Sequence, residues 1–342
     1  MFRSMMGLLA GALVVGTLVG PASAQPIHAQ PGSVLIFPLY NSTQGNNTVL
    51  TVTNLNEDEN SCGNGFRQGD VELHYVYYSE TWQESDTDEQ LTPADTLTVL
   101  ARGHNPNFEM GFLVVEARDP ETGLAIDFDF LIGSAIIVNS EFDFEWAYTP
   151  YVFEALPGRF ERGLTDDACG RLFLDPAGDP DELTMDFDGR ELSAFPDTLY
   201  LDHFFGEGTP AGRPAVSFGN TLYLMSSSPG GLGNSTNVAL VGWNNNEKRF
   251  SRSFSFDCYY FSSLGEITNA VSQTNLDVDS DDSELLGVEY GWLRLTATNG
   301  PESGHALLGV YTDAATIGGD VFTSGRELQY SGSRSVTIPR TF

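Results

Sequence analysis

Lysine is almost missing from this chain. Lys248 is the only one, and the 16 basic residues together face 47 acidic ones, for a formal net charge of −31. So negative a surface repels phosphate backbones and argues against nucleic acid as a partner. Self-repulsion at this density is relieved where salt screens it, because the Debye length falls to roughly 3 Å near 1 M. The composition therefore fits export into a saline environment, although a coding bias that replaces lysine by arginine fits it as well. Cysteine is also scarce: three in an exported chain allow at most one internal disulfide and one further thiol. Helical periodicity is nearly absent, and beyond residue 24 no apolar run approaches the ~20 residues of a membrane-spanning helix. No glycine-rich loop follows a strand and opens a helix, so nucleotide binding is not indicated. His28, His74, His104, His203 and His305 are scattered without metal-ligand spacing. Gly233-Asn234-Ser235-Thr236-Asn237 lacks the closing glycine of a nucleophile elbow. So many acids permit numerous carboxylate pairs of the glycosidase kind, and for that reason they single out none. Asp202-His203, set among aromatic residues, is the most site-like pair, and a structural hydrogen bond at a strand end accounts for it too.

The first 24 residues read as a secretory signal. Arg3 supplies the charged start, Gly7 to Val19 the apolar stretch, and Ala22-Ser23-Ala24 a small-residue cleavage site, so the mature chain is expected to begin at Gln25. No cysteine follows that site to carry a lipid, and Thr337 to Phe342 offers no hydrophobic sorting tail. The expected location is extracellular or at the cell surface, with the periplasm as an alternative.

The remaining apolar segments are short, rich in β-branched and aromatic residues, and separated by Gly, Pro, Asn and Asp, which is an all-β signature. They also repeat. Gly32 to Phe37 answers Gly219 to Leu224, Asn47 to Val52 answers Thr236 to Val241, and Val71 to Ser79 answers Phe254 to Ser262. Gly111 to Val115 then answers Gly291 to Leu295, and Pro120-Glu121-Thr122-Gly123 answers Pro301-Glu302-Ser303-Gly304. About seven strands in roughly a hundred residues predict an immunoglobulin-like or fibronectin-like sandwich, present twice through internal duplication. The boundaries expected are 1–24 for the signal, 25–140 for the first module, 141–218 for a β-rich insert packed against both modules, and 219–342 for the second module ending in a hairpin. Within the first module Val71, Leu73, Tyr75 and Tyr77 should point inward and Glu72 and His74 outward. The alignment places Cys258 mid-strand opposite the inward Tyr75, as a buried small hydrophobe.

The layout resembles a loose family of exported bacterial tandem β-sandwich proteins of unknown function. The resemblance rests on the Val34-Leu35-Ile36-Phe37-Pro38 opening, the strand end Thr51 to Asn54, the strand Gly111 to Ala117, Leu131 to Ala135, and Leu199 to Phe205. It covers most of the mature chain, implies the same fold and location, and brings no catalytic residues.

Three candidate sites follow from the residues themselves. Cys62 and Cys169 lie in polar, glycine-flanked loops and are the expected disulfide. Acid runs recur after the third strand of each copy, Asp86, Asp88 and Glu89 in the first; in the second, Asp277, Asp279 and Asp281 share one face of an extended segment and can offer hard oxygen ligands to Ca²⁺. The spacing is not that of an EF-hand, and with acids this abundant a solvated loop accounts for the run without a metal. Trp82 and Trp243 are the tryptophans nearest to loops and thus the candidates for stacking on a sugar ring. The function expected is a non-enzymatic role in adhesion, matrix assembly or ligand display. A secreted hydrolase or its carbohydrate-binding accessory is the alternative, and an outer-membrane β-barrel, suggested by Phe342 and the aromatic strands, is a third.

Overall fold

The computed structural model describes residues 30–105, 107–140, 144–156, 166–174, 184–227, 235–276, 288–299 and 304–339. In chain order the strands are β1 (Val34–Asn41), β2 (Asn46–Asn54), β3 (Ser61–Gly63), β4 (Phe66–Arg67), β5 (Val71–Ser79), β6 (Glu84–Leu91), β7 (Thr96–Leu100), β8 (Met110–Arg118), β9 (Leu131–Asn139), β10 (Phe144–Tyr148) and β11 (Tyr151–Phe153). There follow β12 (Thr184–Phe187), β13 (Thr198–Phe205), β14 (Val216–Ser226), β15 (Thr236–Asn244), β16 (Arg249–Phe256), β17 (Tyr259–Ser262), β18 (Tyr290–Ala297), β19 (Leu307–Ile317), β20 (Asp320–Glu327), β21 (Gln329–Ser331) and β22 (Val336–Pro339). One-turn helices α1 (Ala101–His104) and α2 (Leu264–Ile267) follow β7 and β17.

The protein is all-β, with four main antiparallel sheets in a four-blade, propeller-like arrangement. The first sheet runs β11-β1-β8-β5-β6 and the second β10-β9-β2-β7; the third runs β21-β13-β18-β15-β16 and the fourth β20-β19-β14-β17. Written this way, the third sheet repeats the first strand for strand and the fourth repeats the second. The match extends to a break in the ladder. β1 pairs with β8 through a bulge between Phe37 and Tyr40, where Pro38 has no N–H to give, and β13 pairs with β18 through the same break between Leu201 and Phe204.

This corrects the expected alignment by one strand over its first half. The counterpart of Val34 to Asn41 is Thr198 to Phe205, the counterpart of β2 is β14, and the counterpart of β5 is β15. Tyr75 therefore answers Leu240, not Cys258: each faces the same position on the central strand, Val115 in one module and Leu295 in the other. The run from Phe254 to Ser262 is not one strand. β16 belongs to the third sheet and β17 to the fourth, and Cys258 sits half-buried in the bend between them. Nor is 141–218 an insert, because β10 and β11 complete the sheets of the first module while β13 opens the second. The expected terminal hairpin is likewise absent among the described residues: β20 pairs with β19, β21 with β13, and β22 with β12. All four main sheets are open, with at most five strands, so the described strands do not close the barrel of eight or more strands that an outer-membrane protein needs.

Burial follows the pairing. Leu35, Phe37, Leu73, Tyr75, Leu113 and Val115 of the first sheet share a core with Leu50, Val52, Ala135 and Ile137 of the second. Leu199, Leu201, Leu240 and Leu293 of the third share another with Leu222, Leu224 and Leu307 of the fourth. The first sheet is also covered on its other face, where Val34, Ile36, Val76, Tyr78, Phe112 and Val114 join Met225 and Leu308 of the fourth sheet. Val71, Leu73, Tyr75 and Tyr77 are inward as expected, but His74 on the reverse face is buried too. The Tyr151 hydroxyl donates to Gly309 O at 3.0 Å and Leu328 O at 2.8 Å, tying the end of the first module to the second. Phe187 and Phe195, from the connecting segment, close around Phe153 with ring centroids 4.7 and 4.8 Å away. The second module thus docks through its fourth sheet, and the outer face of its third sheet is left open.

Candidate functional site

Cys62 and Cys169 are joined by a disulfide, with Cα atoms 4.8 Å apart across a sequence separation of 107. Arg171 fixes the same segment: it donates to Asp70 O at 2.5 Å, pairs with Asp119 at 3.1 Å, and lies 5.7 Å over the Phe128 ring. Asp86, Asp88 and Glu89 are part of the exposed edge strand β6 and not of a loop. Asp277, Asp279 and Asp281 lie outside the described residues. Among the described residues no group of three or more His, Cys, Asp or Glu side chains is placed to hold a metal ion.

Trp82 is no open stacking platform. It sits in the β5–β6 turn at φ 59°, with its ring edge-on to Tyr78 at 4.9 Å and to Phe112 at 5.0 Å, and packs against the core between the modules. Trp243 is on β15, directly opposite Trp292 of β18, and the two indoles are stacked with centroids 4.1 Å apart and planes 10° off parallel. Arg249, the partner of Trp243 on β16, lies 6.0 Å from the Trp243 ring. Trp292 itself is 39 % exposed. From the sequence alone its place in the strand Gly291 to Leu295 argues for core packing rather than for a ligand platform. The signal was present in Tyr290, Trp292 and Arg294, which alternate with the buried Leu293 and Leu295.

A concave feature lies between the modules. A cavity of about 410 Å³ is bounded by Ile137, Asn139 and Trp146 on one side and by Thr221, Tyr223 and Thr323 on the other. Among the described residues Asp313 is its one charged lining group. Burial pushes the Asp313 carboxyl up, and hydrogen bonding from Tyr311 and the Arg326 charge oppose the rise. Tyr311 donates to Oδ1 at 2.5 Å and Arg326 to Oδ2 at 3.2 Å. Arg326 also reaches His203, donating to its carbonyl at 2.9 Å and meeting Nε2 at 3.0 Å. A guanidinium has only donors, so Nε2 accepts and Nδ1–H is left to face Asp202 at 3.2 Å. The site-like Asp202-His203 pair therefore braces β13 at its bulge against β20. Elsewhere, burial among Asp127 and Glu154 raises the Asp129 carboxyl to about 6, although it accepts from Ser33 Oγ at 2.9 Å and from Ala155 N at 2.8 Å.

No family model matches the chain, and no curated protein does. Among solved structures, a crystal structure of Thermotoga maritima 1070 aligns with 41% of this chain and 97% of its own, at 4% identity and a TM-score of 0.27. That likeness is too faint to carry an argument about fold or activity.

Proposed function

We propose that this chain is an exported, non-enzymatic protein of two immunoglobulin-like β-sandwich modules, acting at or near the cell surface in adhesion, matrix assembly or ligand display. The sandwich reading is supported by the two cores, each shared by a five-stranded and a four-stranded sheet in the same strand order. Export is supported by the signal-like start and by the Cys62–Cys169 bridge, since disulfides persist in oxidising compartments. The observation that carries the non-enzymatic reading is the place of Arg326. It stands between His203 and Asp313 and engages both, so the groups nearest the cavity that could move a proton are held in a bracing network.

Fractionation of cells making the native protein tests this reading. The protein should be found outside the cytoplasm, beginning at Gln25, with the bridge formed. Recovery from the cytoplasm with Met1 retained and both cysteines reduced would contradict it. The accessory role in carbohydrate binding is kept as a second reading because one observation favours it, the stacked Trp243–Trp292 pair on an open sheet face.

A further inference from the structure

The duplication exposes a difference between the modules that neither shows alone. Cross-strand partners point to the same side of a sheet, so Trp243, Trp292, Arg249, Arg294 and Tyr200 share the outer face of the third sheet. Their counterparts in the first sheet are Tyr78, Phe112, Glu84, Val114 and Ile36. Of these, Tyr78, Phe112, Val114 and Ile36 are fully buried at the module junction. One copy of the face has become an internal contact. The other carries two stacked indoles and two arginines into solvent.

Charge has diverged in the same direction. The five strands of the first sheet hold six acids (Glu72, Glu84, Asp86, Asp88, Glu89 and Glu116) and one arginine, Arg118. The five strands of the third hold three arginines (Arg249, Arg252 and Arg294) and one acid, Asp202, which is itself held by Arg326. In a chain of net charge −31 this sheet is therefore locally positive. Neither Arg249 nor Arg294 makes an ion pair among the described residues.

We propose that the outer face of the third sheet is a binding platform for an acidic polysaccharide, with a pyranose ring lying on Trp292 and uronate carboxylates meeting Arg249 and Arg294. Each part answers a feature of that ligand. An exposed indole takes the C–H face of a sugar ring, the guanidinium groups pair with carboxylates, and Ser251, Ser253 and Thr296 on the same face offer hydroxyls to its hydroxyls. An acidic peptide is the less suitable occupant, because extended peptides are taken up along open strand edges or in grooves, and this surface is the flat middle of a sheet. The proposal rests on the reading of the chain as a binding protein.

Retardation in native gels containing alginate or polygalacturonate, followed by titration, tests it on the full chain. Both polyuronates should slow the protein, and binding should weaken as salt is raised above roughly 0.1 M while a neutral glucan binds less. Trp292→Ala should weaken binding about tenfold or more. Arg249→Gln with Arg294→Gln, at two exposed side chains, should do the same and gives an arm independent of how the tryptophan variant folds. No retardation by either polyuronate, affinity unchanged in both variants, or equal affinity for polyglutamate would overturn the proposal. If the polyuronate is bound and also cut, with reducing ends appearing, the platform stands and the non-enzymatic reading falls.

Discussion

Replacing Cys62 and Cys169 together by serine is expected to lower the free energy of unfolding by about 2–5 kcal/mol. The bridge closes a loop of 107 residues, and the chain-entropy argument assigns a cross-link near this span roughly 4–5 kcal/mol, most of it through the unfolded state. The native segment should keep its place in the variant, because Arg171 holds it through Asp119, Asp70 O and the Phe128 ring. Equilibrium denaturation of the oxidised protein and the serine variant measures the difference. A loss under about 1 kcal/mol would mean that the unfolded chain gains little freedom when the bridge is removed.

The second large effect is expected at Gly111. Its φ is +156°, and a Cβ there would run into the carbonyl oxygen of Tyr78 on the neighbouring strand. Gly291, its counterpart, meets the Trp243 carbonyl and the Phe204 ring in the same way. In both modules the central strand enters the sheet where the bulge ends, and the adjoining strand comes close enough there that only glycine fits. Gly111→Ala should cost on the order of 3 kcal/mol or more, since the obstacle is backbone that cannot swing aside. Gly103→Ala is the matched control. A Cβ at Gly103 meets nothing within 4 Å, so a change between zero and a gain of about 1 kcal/mol is expected. Comparable melting temperatures for the two variants would show that the close approach at Gly111 relaxes.

The strand content was legible because alternation and glycine-rich breaks are local signals. Strand order was not, for a physical reason: a period-two pattern fixes which side chains share a face but carries no address for the partner strand. The segments Val34 to Phe37 and Leu222 to Leu224 are similarly apolar, and the interval from Gly32 to Gly111 is close to that from Gly219 to Gly291, so the slipped alignment required few gaps. Leu199 to Phe205 looked like a supernumerary strand for lack of that address. The features that identify it as the true counterpart of β1 are the bulge, at Pro38 in one copy and Asp202-His203 in the other, and the glycine that opens each central strand, and these acquire meaning only once the ladders are known. Of the site, Trp243 could be picked out beside its asparagine turn. For Trp292 the alternation with Leu293 and Leu295 marks the face it shares, but whether that face is open depends on the second module docking through the fourth sheet and leaving the third uncovered.

That asymmetry, a covered face in one module and an open one in the other, is the central claim, and tryptophan accessibility tests it most directly. The chain has four tryptophans: Trp82 lies on the covered side, Trp146 is buried by the module junction, and Trp243 and Trp292 stand on the open face. Acrylamide, being neutral, reports access without interference from the acidic surface. Quenching of the native protein should be largely lost in Trp243→Phe with Trp292→Phe and preserved in Trp82→Phe with Trp146→Phe. Quenching that persists without the Trp243–Trp292 pair and disappears with Trp82 and Trp146 would place the open face on the first module and contradict the account.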